Sequence, residues 1–364
     1  MINSIYLISR FKQSGPVNQA LNIVSGMDKN RCNMVVVTMS PDFVKNRKDK
    51  FDAAGIKYIQ LNRRGWDLLG CVRDLKKIIE DNKIDVVHSS GVRPDLCNLL
   101  LPSKILKVTT IRSEIANVAE RNNLIIKYIV QRIQSNSLKK LDVAVACSNA
   151  LANKILNETG RKVDAIHNCV DTDYFCPAAD KMLIREELGL PPDKRIFVVL
   201  GSLIERKNND IVLDYFNTKT TDDFLLLMIG DGKLKEGYQQ KYAHSNIKYL
   251  GHIEQPLKYL QASDFLISAS VSEGLPNTVL ESLACGIPVI LSDIEPHREI
   301  LEEGNVGIIF DYYSKASLEN ALNELCQRDY MTLSKNCRTT AVHCFGKLET
   351  AKKYCQMYYD NLKK

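Results

Sequence analysis

The chain has 364 residues, of which 45% are hydrophobic and 25% charged, and its formal net charge is +6. At roughly 100 to 200 residues per domain, this length predicts two domains of ordinary globular composition. No apolar run reaches the roughly 18 residues that a transmembrane helix needs, and residues 1–9 lack the basic start of a signal peptide, so they predict a first strand.

Charge and cysteine content suggest a compartment and a class of partner. Residues 1–178 carry 27 Lys and Arg against 17 Asp and Glu, whereas residues 179–364 carry 22 against 26. The basic half suits an anionic surface such as a membrane leaflet or a pyrophosphate-linked lipid, although a solvated basic face is the alternative. The eleven cysteines include no Cys-x-x-Cys pair, which indicates reduced thiols in a cytoplasm and not a disulfide framework or zinc site.

Short β-rich runs alternate with helical patterns, such as 17–27 and 67–82, through the first half. This alternation predicts a parallel sheet covered by helices on both faces. The predicted strands are 5–9, 34–39, 57–61, 86–88, 108–112 and 143–148. The segment 122–140, rich in Ile, Leu, Lys and Arg, is interpreted either as an ordinary amphipathic helix or as a membrane contact.

Several candidate binding residues follow strands of this half. Gly15 lies between the first strand and the next helix, where a missing side chain lets the backbone approach a phosphate. Open α/β sheets bind ligands beyond the carboxyl ends of their strands. Strand 86–88 delivers His88 there, and strand 108–112 delivers Arg112 and Glu114. A single histidine at a strand end is also commonly a structural residue, so both interpretations of His88 stay open.

The joint between the halves is predicted at residues 162–180, where a short strand is followed by a Pro-bearing stretch. We therefore expect an N-terminal domain over 1–170 and a C-terminal domain over 171–345. An amphipathic helix in 346–364 is expected to pack back on the body. The strand pattern restarts after the joint, which predicts two doubly wound domains facing each other across a cleft. The predicted strands of the C-terminal domain are 195–200, 224–229, 247–250, 264–268, 289–292 and 307–310.

Two loops of the second half carry candidate ligand-binding groups. The loop after Gly201 carries Arg206 and Lys207, which could neutralise a diphosphate, although an exposed basic loop is the alternative. Gly251 ends another strand, where backbone groups could meet a nucleobase. The sequence Gly230-Asp231-Gly232 is only a weak dinucleotide fingerprint, because the next glycine comes too late.

The most informative stretch is 272–288, a loop and helix between two buried strands. Glu273 and Glu281 flank a helix start that Pro276 favours and that Gly286 ends. Backbone N–H groups at this helix start attract a phosphate, whereas the two carboxylates suit hydroxyl groups. A ligand that carries both phosphates and diols is a nucleotide sugar. The donor-binding residues predicted at the helix start are Leu275, Pro276, Asn277 and Thr278.

With these residues together, the chain resembles the retaining glycosyltransferases of family 4 over essentially its whole length. The resemblance rests on Glu273-x7-Glu281, with Gly15, Asn168 and Lys207 in the expected order. It implies the GT-B fold, an α/β architecture of two Rossmann-like domains, with the acceptor bound by the first and the donor by the second. It also implies hexosyl transfer from a nucleotide diphosphate sugar to an acceptor hydroxyl with retention, needing neither a metal nor another cofactor.

The resemblance assigns roles to the residues of the second domain. Glu273 would bind a hydroxyl of the donor sugar and Glu281 the ribose diol. Lys207, with Arg206, would stabilise the leaving diphosphate. Uridine is the base that it implies, and the acceptor is expected to be a glycan or lipid-linked glycan of a bacterial surface polysaccharide such as O-antigen lipopolysaccharide, capsule or exopolysaccharide. The enzyme is expected in the cytoplasm, with peripheral contact to the inner membrane and no nucleic-acid partner.

Three positions depart from the family pattern. Ser202 stands where an arginine is common, Cys169 follows Asn168 where a glycine is usual, and Arg112 stands where many members have a cleft histidine. Because arginine stays protonated, Arg112 is predicted to bind donor phosphate or an anionic acceptor. Ser202 and Arg112 leave a non-catalytic nucleotide-sugar-binding protein as an alternative function. A nucleotide-sugar epimerase is a second alternative, because such enzymes also use a GT-B-like fold.

Overall fold

The computed structural model describes residues 1–42, 46–114, 124–218 and 223–363. The chain divides into two compact units, here called unit 1 and unit 2. Unit 1 comprises Met1–Cys169 together with Lys347–Lys364, and unit 2 comprises Val170–Gly346. The chain therefore enters unit 2 once and returns to unit 1 for its last helix.

Unit 1 is built on a seven-stranded parallel sheet in the order β3-β2-β1-β4-β5-β6-β7. Its strands are β1 Ile2–Ile8, β2 Cys32–Thr38, β3 Tyr58–Gln60, β4 Val86–Ser89, β5 Leu106–Ile111, β6 Val143–Ala146 and β7 Asp164–Ala165. Its helices are α1 Gly15–Gly26, α2 Lys48–Ala53, α3 Leu68–Asn82, α4 Val92–Leu99, α5 Leu124–Lys140 and α6 Asn149–Thr159. Helix α5 covers most of the predicted segment 122–140, of which residues 122 and 123 lie outside the described residues.

Both faces of this sheet are buried, which explains why its strands are almost continuously apolar. Successive residues of a strand point to opposite faces. In β1, Tyr6 and Ile8 join the apolar cluster formed with α1, whereas Ile5 and Leu7 join the cluster formed with α3. The predicted arrangement of a parallel sheet between two helix layers is confirmed for this unit.

Unit 2 repeats this plan with a six-stranded parallel sheet in the order β10-β9-β8-β11-β12-β13. Its strands are β8 Arg195–Leu200, β9 Phe224–Ile229, β10 Ile247–Gly251, β11 Phe265–Ser268, β12 Val289–Ser292 and β13 Gly307–Phe310. Its helices are α7 Lys181–Glu187, α8 Asn209–Thr218, α9 Lys235–Lys241, α10 Leu257–Ala262, α11 Asn277–Ala284, α12 Glu295–Glu302, α13 Lys315–Gln327 and α14 Tyr330–Phe345. In each sheet the strand order reverses beside the first strand, and doubly wound sheets bind ligands at that point.

The last helix, α15 Lys347–Leu362, belongs to unit 1 and packs on α1. Its buried side chains include Ala351, Tyr354 and Tyr358, at the spacing of one helix face. The two helices approach so closely that a Cβ at Gly26 would lie 2.6 Å from the Lys347 carbonyl oxygen. Nowhere in the described chain is there a helix with the length and apolar character needed to cross a membrane.

Candidate functional site

The carboxyl ends of β8 and β11 bring together three of the predicted site residues. These strands are direct neighbours in the sheet. A single 3-10 turn, Glu205–Lys207, follows β8 and carries two cations, while Glu273 follows β11. Lys207 Nζ lies 2.5 Å from Glu273 Oε1, and Arg206 Nη1 lies 2.9 Å from Glu273 Oε2. Each carboxylate oxygen is thus held by a different cation.

Hydrogen bonds to backbone carbonyl groups hold this arrangement in place. The Val271 N–H donates to the carbonyl of Arg206 at 2.9 Å, and the Arg206 guanidinium also donates to the carbonyl of Ser272. Asn208 ends the 3-10 turn in a left-handed conformation, and its side-chain amide donates to the Tyr312 carbonyl at 3.1 Å. Loops after three strands are therefore tied to one another around the charged groups.

The electrostatics of this cluster favour an ionised carboxylate. Burial of Glu273 by itself would raise its pKa, but the nearby Lys207 and Arg206 outweigh that effect and lower the pKa to about 2. The carboxylate is therefore negative at neutral pH and cannot serve as a general acid. The cluster keeps one net positive charge, and its arginine and lysine side chains are 29% and 16% exposed. It can attract an anion and still accept hydrogen bonds.

The predicted helix start lies directly beyond this cluster. Helix α11 begins at Asn277, with Pro276 at its N-cap and no acidic residue in its first turn. Leu275 and Pro276 are buried, whereas Asn277 and Thr278 are half-buried. The positive end of the helix dipole thus lies four residues after Glu273 on the same sheet edge. Gly286 adopts a φ of +73° after the helix, as the sequence predicted for its end.

Two further predicted donor-binding residues of unit 2, Glu281 and Gly251, belong to α11 and β10. Glu281 is in the second turn of α11 and is half-buried. Gly251 ends the edge strand β10 with a φ of +68°, two strands away from β8. Its carbonyl accepts a hydrogen bond from the Gly230 N–H at 2.8 Å. The roles predicted for these two residues remain predictions.

The glycines of the weak fingerprint have a packing role. A Cβ at Gly230 would lie 1.7 Å from the Gly201 carbonyl oxygen, and one at Gly232 would lie 2.3 Å from the Leu203 carbonyl oxygen. Gly230 and Gly201 also have φ angles of +152° and +149°. These positions need glycine because the ends of β8 and β9 approach each other closely. No dinucleotide is required to explain them.

In unit 1 the predicted residues have different hydrogen-bond and ion-pair partners. Gly15 is the half-buried first residue of α1. Arg112, after β5, donates to Asn168 Oδ1 at 2.5 Å and to the Tyr6 hydroxyl at 3.0 Å. Glu114 instead pairs with Lys154 at 2.8 Å. The anion-binding role of Arg112 and the acceptor role of Glu114 remain predictions.

The side chain of His88 lies in the interior of unit 1, which favours a structural role over the acceptor-side role predicted for it. It is fully buried, and its Nδ1 and Nε2 lie 2.5 Å from the Tyr358 hydroxyl and 2.7 Å from Thr110 Oγ1. Burial holds its pKa well below the usual value, so the ring is neutral. With both nitrogens engaged and no exposed surface, His88 serves the core, which is the alternative interpretation that the sequence had left open.

Sequence reasoning missed a second buried histidine, His297, on α12. Its Nδ1 lies 2.8 Å from the Ser292 carbonyl oxygen, and its Nε2 lies 3.4 Å from Ser268 Oγ. It thereby links the carboxyl ends of β11 and β12 on either side of the loop that carries Glu273. Burial lowers its pKa to about 4, so it supports the loop as a neutral group. No signal in the sequence separates it from an exposed helix residue.

Sequence reasoning also missed Asp95, which lies in the interior of unit 1. Its Oδ1 accepts hydrogen bonds from Ser89 at 2.7 Å and from Thr109 at 2.8 Å, and burial raises its pKa to about 7.

Within the described ranges, no group of three or more His, Cys, Asp or Glu side chains is placed to hold a metal ion. All eleven cysteines are free thiols.

Comparison with known proteins extends these observations. A family model for Glycosyltransferase Family 4 matches residues 14–174, and one for Glycosyl transferases group 1 matches residues 180–341. The O-antigen biosynthesis glycosyltransferase WclY of Escherichia coli is 25% identical over 368 residues, which cover 98% of each chain. UDP-Gal:alpha-D-GlcNAc-diphosphoundecaprenol alpha-1,3-galactosyltransferase of E. coli is 24% identical over 80% of this chain and 81% of its own. HepE of Anabaena, solved with UDP-glucose, has a TM-score of 0.82 at 14% identity over 99% of this chain and 100% of its own, which shows a shared fold.

Proposed function

Because the chain belongs to glycosyltransferase family 4 and has the GT-B fold, we propose that it transfers a hexosyl unit from a UDP-sugar to an acceptor hydroxyl, with retention of anomeric configuration. The proposed pathway is assembly of a bacterial surface polysaccharide on a lipid carrier. The related proteins support this choice, since one is named for O-antigen biosynthesis and another for a UDP-Gal donor and a diphosphoundecaprenol-linked acceptor. The eleven free thiols support a reducing compartment, so we place the reaction in the cytoplasm.

The observation that carries the proposal is the contact of Glu273 with both Arg206 and Lys207 at the point where the strand order of unit 2 reverses. In transfer from a nucleotide diphosphate sugar, negative charge grows on the leaving diphosphate as the glycosidic C–O bond breaks. Two preorganised cations beside a helix N-terminus are suited to stabilise that charge. In the proposed mechanism they do so without a divalent ion.

Glu273 has two tasks in this mechanism. Before the donor binds, it fixes the positions of the lysine and arginine side chains through its two oxygens. When the donor is bound, its ionised carboxylate accepts a hydrogen bond from a sugar hydroxyl, while the cations turn towards the phosphates. Glu281, one further turn into α11, accepts hydrogen bonds from the ribose diol. The acceptor oxygen forms the new bond to the anomeric carbon, its proton passes to a donor phosphate oxygen, and UDP leaves.

A thermal-stabilisation screen tests the donor. A ligand that binds only the folded state raises the melting temperature, and at 100 times its Kd it adds about 2.7 kcal/mol. UDP and UDP-sugars, in buffer with a chelator, are expected to stabilise the protein more than ADP, GDP or their sugars. Product formed with the selected donor is then examined by NMR for the anomeric configuration. An inverted product, or an epimerised donor in the absence of acceptor, would contradict the proposal.

A further inference from the structure

The loop between β3 and α3 holds the only tryptophan of the chain at the surface of unit 1. Trp66 is 64% exposed, and Leu69, three residues later, is 79% exposed. Tryptophan is highly buried on average in folded proteins, and large apolar side chains that are exposed together mark interaction sites more often than single ones. This pair therefore needs an explanation outside the core.

The backbone presents both side chains in a defined conformation. Gly65 adopts a φ of +56°, and the Leu68 N–H donates to the Trp66 carbonyl at 2.6 Å. Asp67 then caps α3 by accepting a hydrogen bond from the Gly70 N–H at 2.9 Å. A Cβ at Gly70 would lie 2.2 Å from that carboxylate, so the cap depends on glycine. The two apolar side chains thus project from an ordered turn.

Leu69 lies on the outward face of α3, away from the core. The inward face is already buried through Cys71, Val72, Leu75 and Ile79. Residues four, seven and eight positions after Leu69 share its side of the helix, because an α-helix has 3.6 residues per turn. Those residues are basic and exposed, namely Arg73, Lys76 and Lys77. The outward face therefore combines one aliphatic side chain with three cations and, one turn beyond Lys76, the exposed carboxylate of Glu80.

The cations of this face outnumber its carboxylates: Glu80 is exposed one turn after Lys76, and two other nearby carboxylates contact an arginine. Asp74 and Asp67 both contact Arg63, at 2.7 Å and 3.5 Å. Arg73 lies 3.8 Å from Asp74 but is 75% exposed. Within the described part of the chain, Arg64, Lys76 and Lys77 make no ion pair. We name the group of these exposed residues the Trp66 surface: Arg64, Trp66, Leu69, Arg73, Lys76 and Lys77.

We propose that the Trp66 surface docks unit 1 on an anionic lipid bilayer. Trp66 and Leu69 would enter the boundary between headgroups and acyl chains, where the indole ring has both polar and apolar neighbours. The surrounding cations would contact anionic headgroups, and such contacts add about 1 kcal/mol per Lys or Arg. The charge of this surface, complementary to anionic lipid, selects a bilayer over an uncharged apolar partner.

The position of the surface fits a lipid-borne substrate. It begins directly after β3, and all strands of the sheet are parallel, so it lies on the same edge as Gly15 and Arg112. The inference extends the proposed function, in which a lipid carries the acceptor. Its test needs no turnover, so the two can fail separately.

The single tryptophan supplies the measurement. The protein is mixed with vesicles of phosphatidylcholine alone or of phosphatidylcholine with phosphatidylglycerol, and tryptophan emission and co-sedimentation are recorded. We expect a blue shift and binding with the anionic vesicles, both weakened by salt. Replacing Arg64, Lys76 and Lys77 together by Gln is expected to weaken binding roughly 100-fold, about fivefold per cation. The double change Trp66→Ser with Leu69→Ser is expected to weaken vesicle binding tenfold or more, as measured by co-sedimentation. A factor of about ten is the order of magnitude for losing the burial of one apolar side chain.

Met331→Ser is the matched control, because Met331 is a 74% exposed apolar residue of α14 in unit 2. It is expected to bind vesicles as the unchanged protein does. A cooperative thermal melt, recorded without ligand on every variant, shows that the substitutions leave the protein folded, and stabilisation by UDP is measured separately. Absence of vesicle binding, equal binding to neutral vesicles, or binding without a change in tryptophan emission would overturn the proposal. If UDP stabilises no variant while the vesicle results hold, the proposed function fails and the docking surface stands.

Discussion

The Lys207 ammonium lies 2.5 Å from the Glu273 carboxylate, although the two residues are 66 positions apart in the chain. The contact exists because β8 and β11, which precede these residues, are neighbours in the sheet. Arg206 holds the second oxygen, so the three side chains form one charged unit before any ligand arrives. An enzyme that needs cations aimed at a leaving diphosphate gains from this, since groups already in place need little reorganisation during reaction.

Replacement of Lys207 tests the charge-stabilising role. Lys207→Ala is expected to lower kcat by about 100- to 1000-fold, as removal of one preorganised transition-state donor does in other enzymes. Steady-state kinetics with the donor found in the screen measures this. Lys233→Ala is the matched control, because Lys233 belongs to the same unit but forms an exposed ion pair with Glu205 at 2.7 Å. Equal activities of the two variants would remove Lys207 from the mechanism.

Glu273 should make the stability of the ligand-free protein depend on pH in acid. Its pKa is about 2 in the folded state, below its ordinary value of 4.5. Its contribution is therefore fully present above pH 4.5 and is lost as the pH falls towards 2. The shift corresponds to about 3 kcal/mol. Urea unfolding from pH 7 to pH 3 is expected to show a difference between the unchanged protein and Glu273→Gln that shrinks as the pH falls.

Glu205→Gln serves as the control for that series. Its carboxylate pairs with Lys233 on the surface, where water screens the interaction, so the variant should follow the unchanged protein. A Glu273→Gln difference that stays constant with pH would show that the carboxylate is not held by its cations.

The alternating pattern was sufficient to predict both sheets, because parallel strands buried on two faces must be apolar along their length and separated by helices. The Glu273–Glu281 spacing likewise predicted the helix start of the candidate site, since a helix start between two acids depends on local sequence. His88 could not be placed in this way. Its partner Tyr358 is 270 residues away on α15, and local sequence does not report contacts of that range. His297 and Gly230 also depend on neighbours that only the folded sheet provides.

Removal of the Tyr358 hydroxyl tests whether His88 has a structural role. Tyr358→Phe leaves His88 Nδ1 without its buried partner, and this is expected to lower the free energy of unfolding by about 1–3 kcal/mol. Tyr359→Phe, its neighbour on α15, loses only an exposed hydrogen bond to the Arg31 carbonyl and should unfold like the unchanged protein. Denaturant unfolding gives the stabilities, and transfer assays give kcat/KM at a temperature where both variants are folded. A stable Tyr358→Phe variant with altered kcat/KM would instead return His88 to the list of functional residues.

Replacement by alanine is expected to change the free energy of unfolding in opposite directions at two glycines of unit 2. Gly230→Ala would place a Cβ 1.7 Å from the Gly201 carbonyl oxygen in a residue whose φ is +152°. Backbone on both sides would have to move, so we expect the variant to lose more than about 3 kcal/mol or to remain unfolded. Gly237→Ala lies in helix α9 with no atom within 4 Å of the new Cβ, and is expected to gain about 0.5–1 kcal/mol. Thermal melts of the two variants measure both effects.

The Gly230→Ala change should also affect UDP binding through Lys207, which packs over Gly201. A Cβ added at Gly201 would lie 3.7 Å from Lys207 Nζ, so displacement of Gly201 in a partly folded Gly230→Ala protein should weaken UDP binding. Unchanged stability and UDP binding in that variant would show that the glycine pair does not position Lys207.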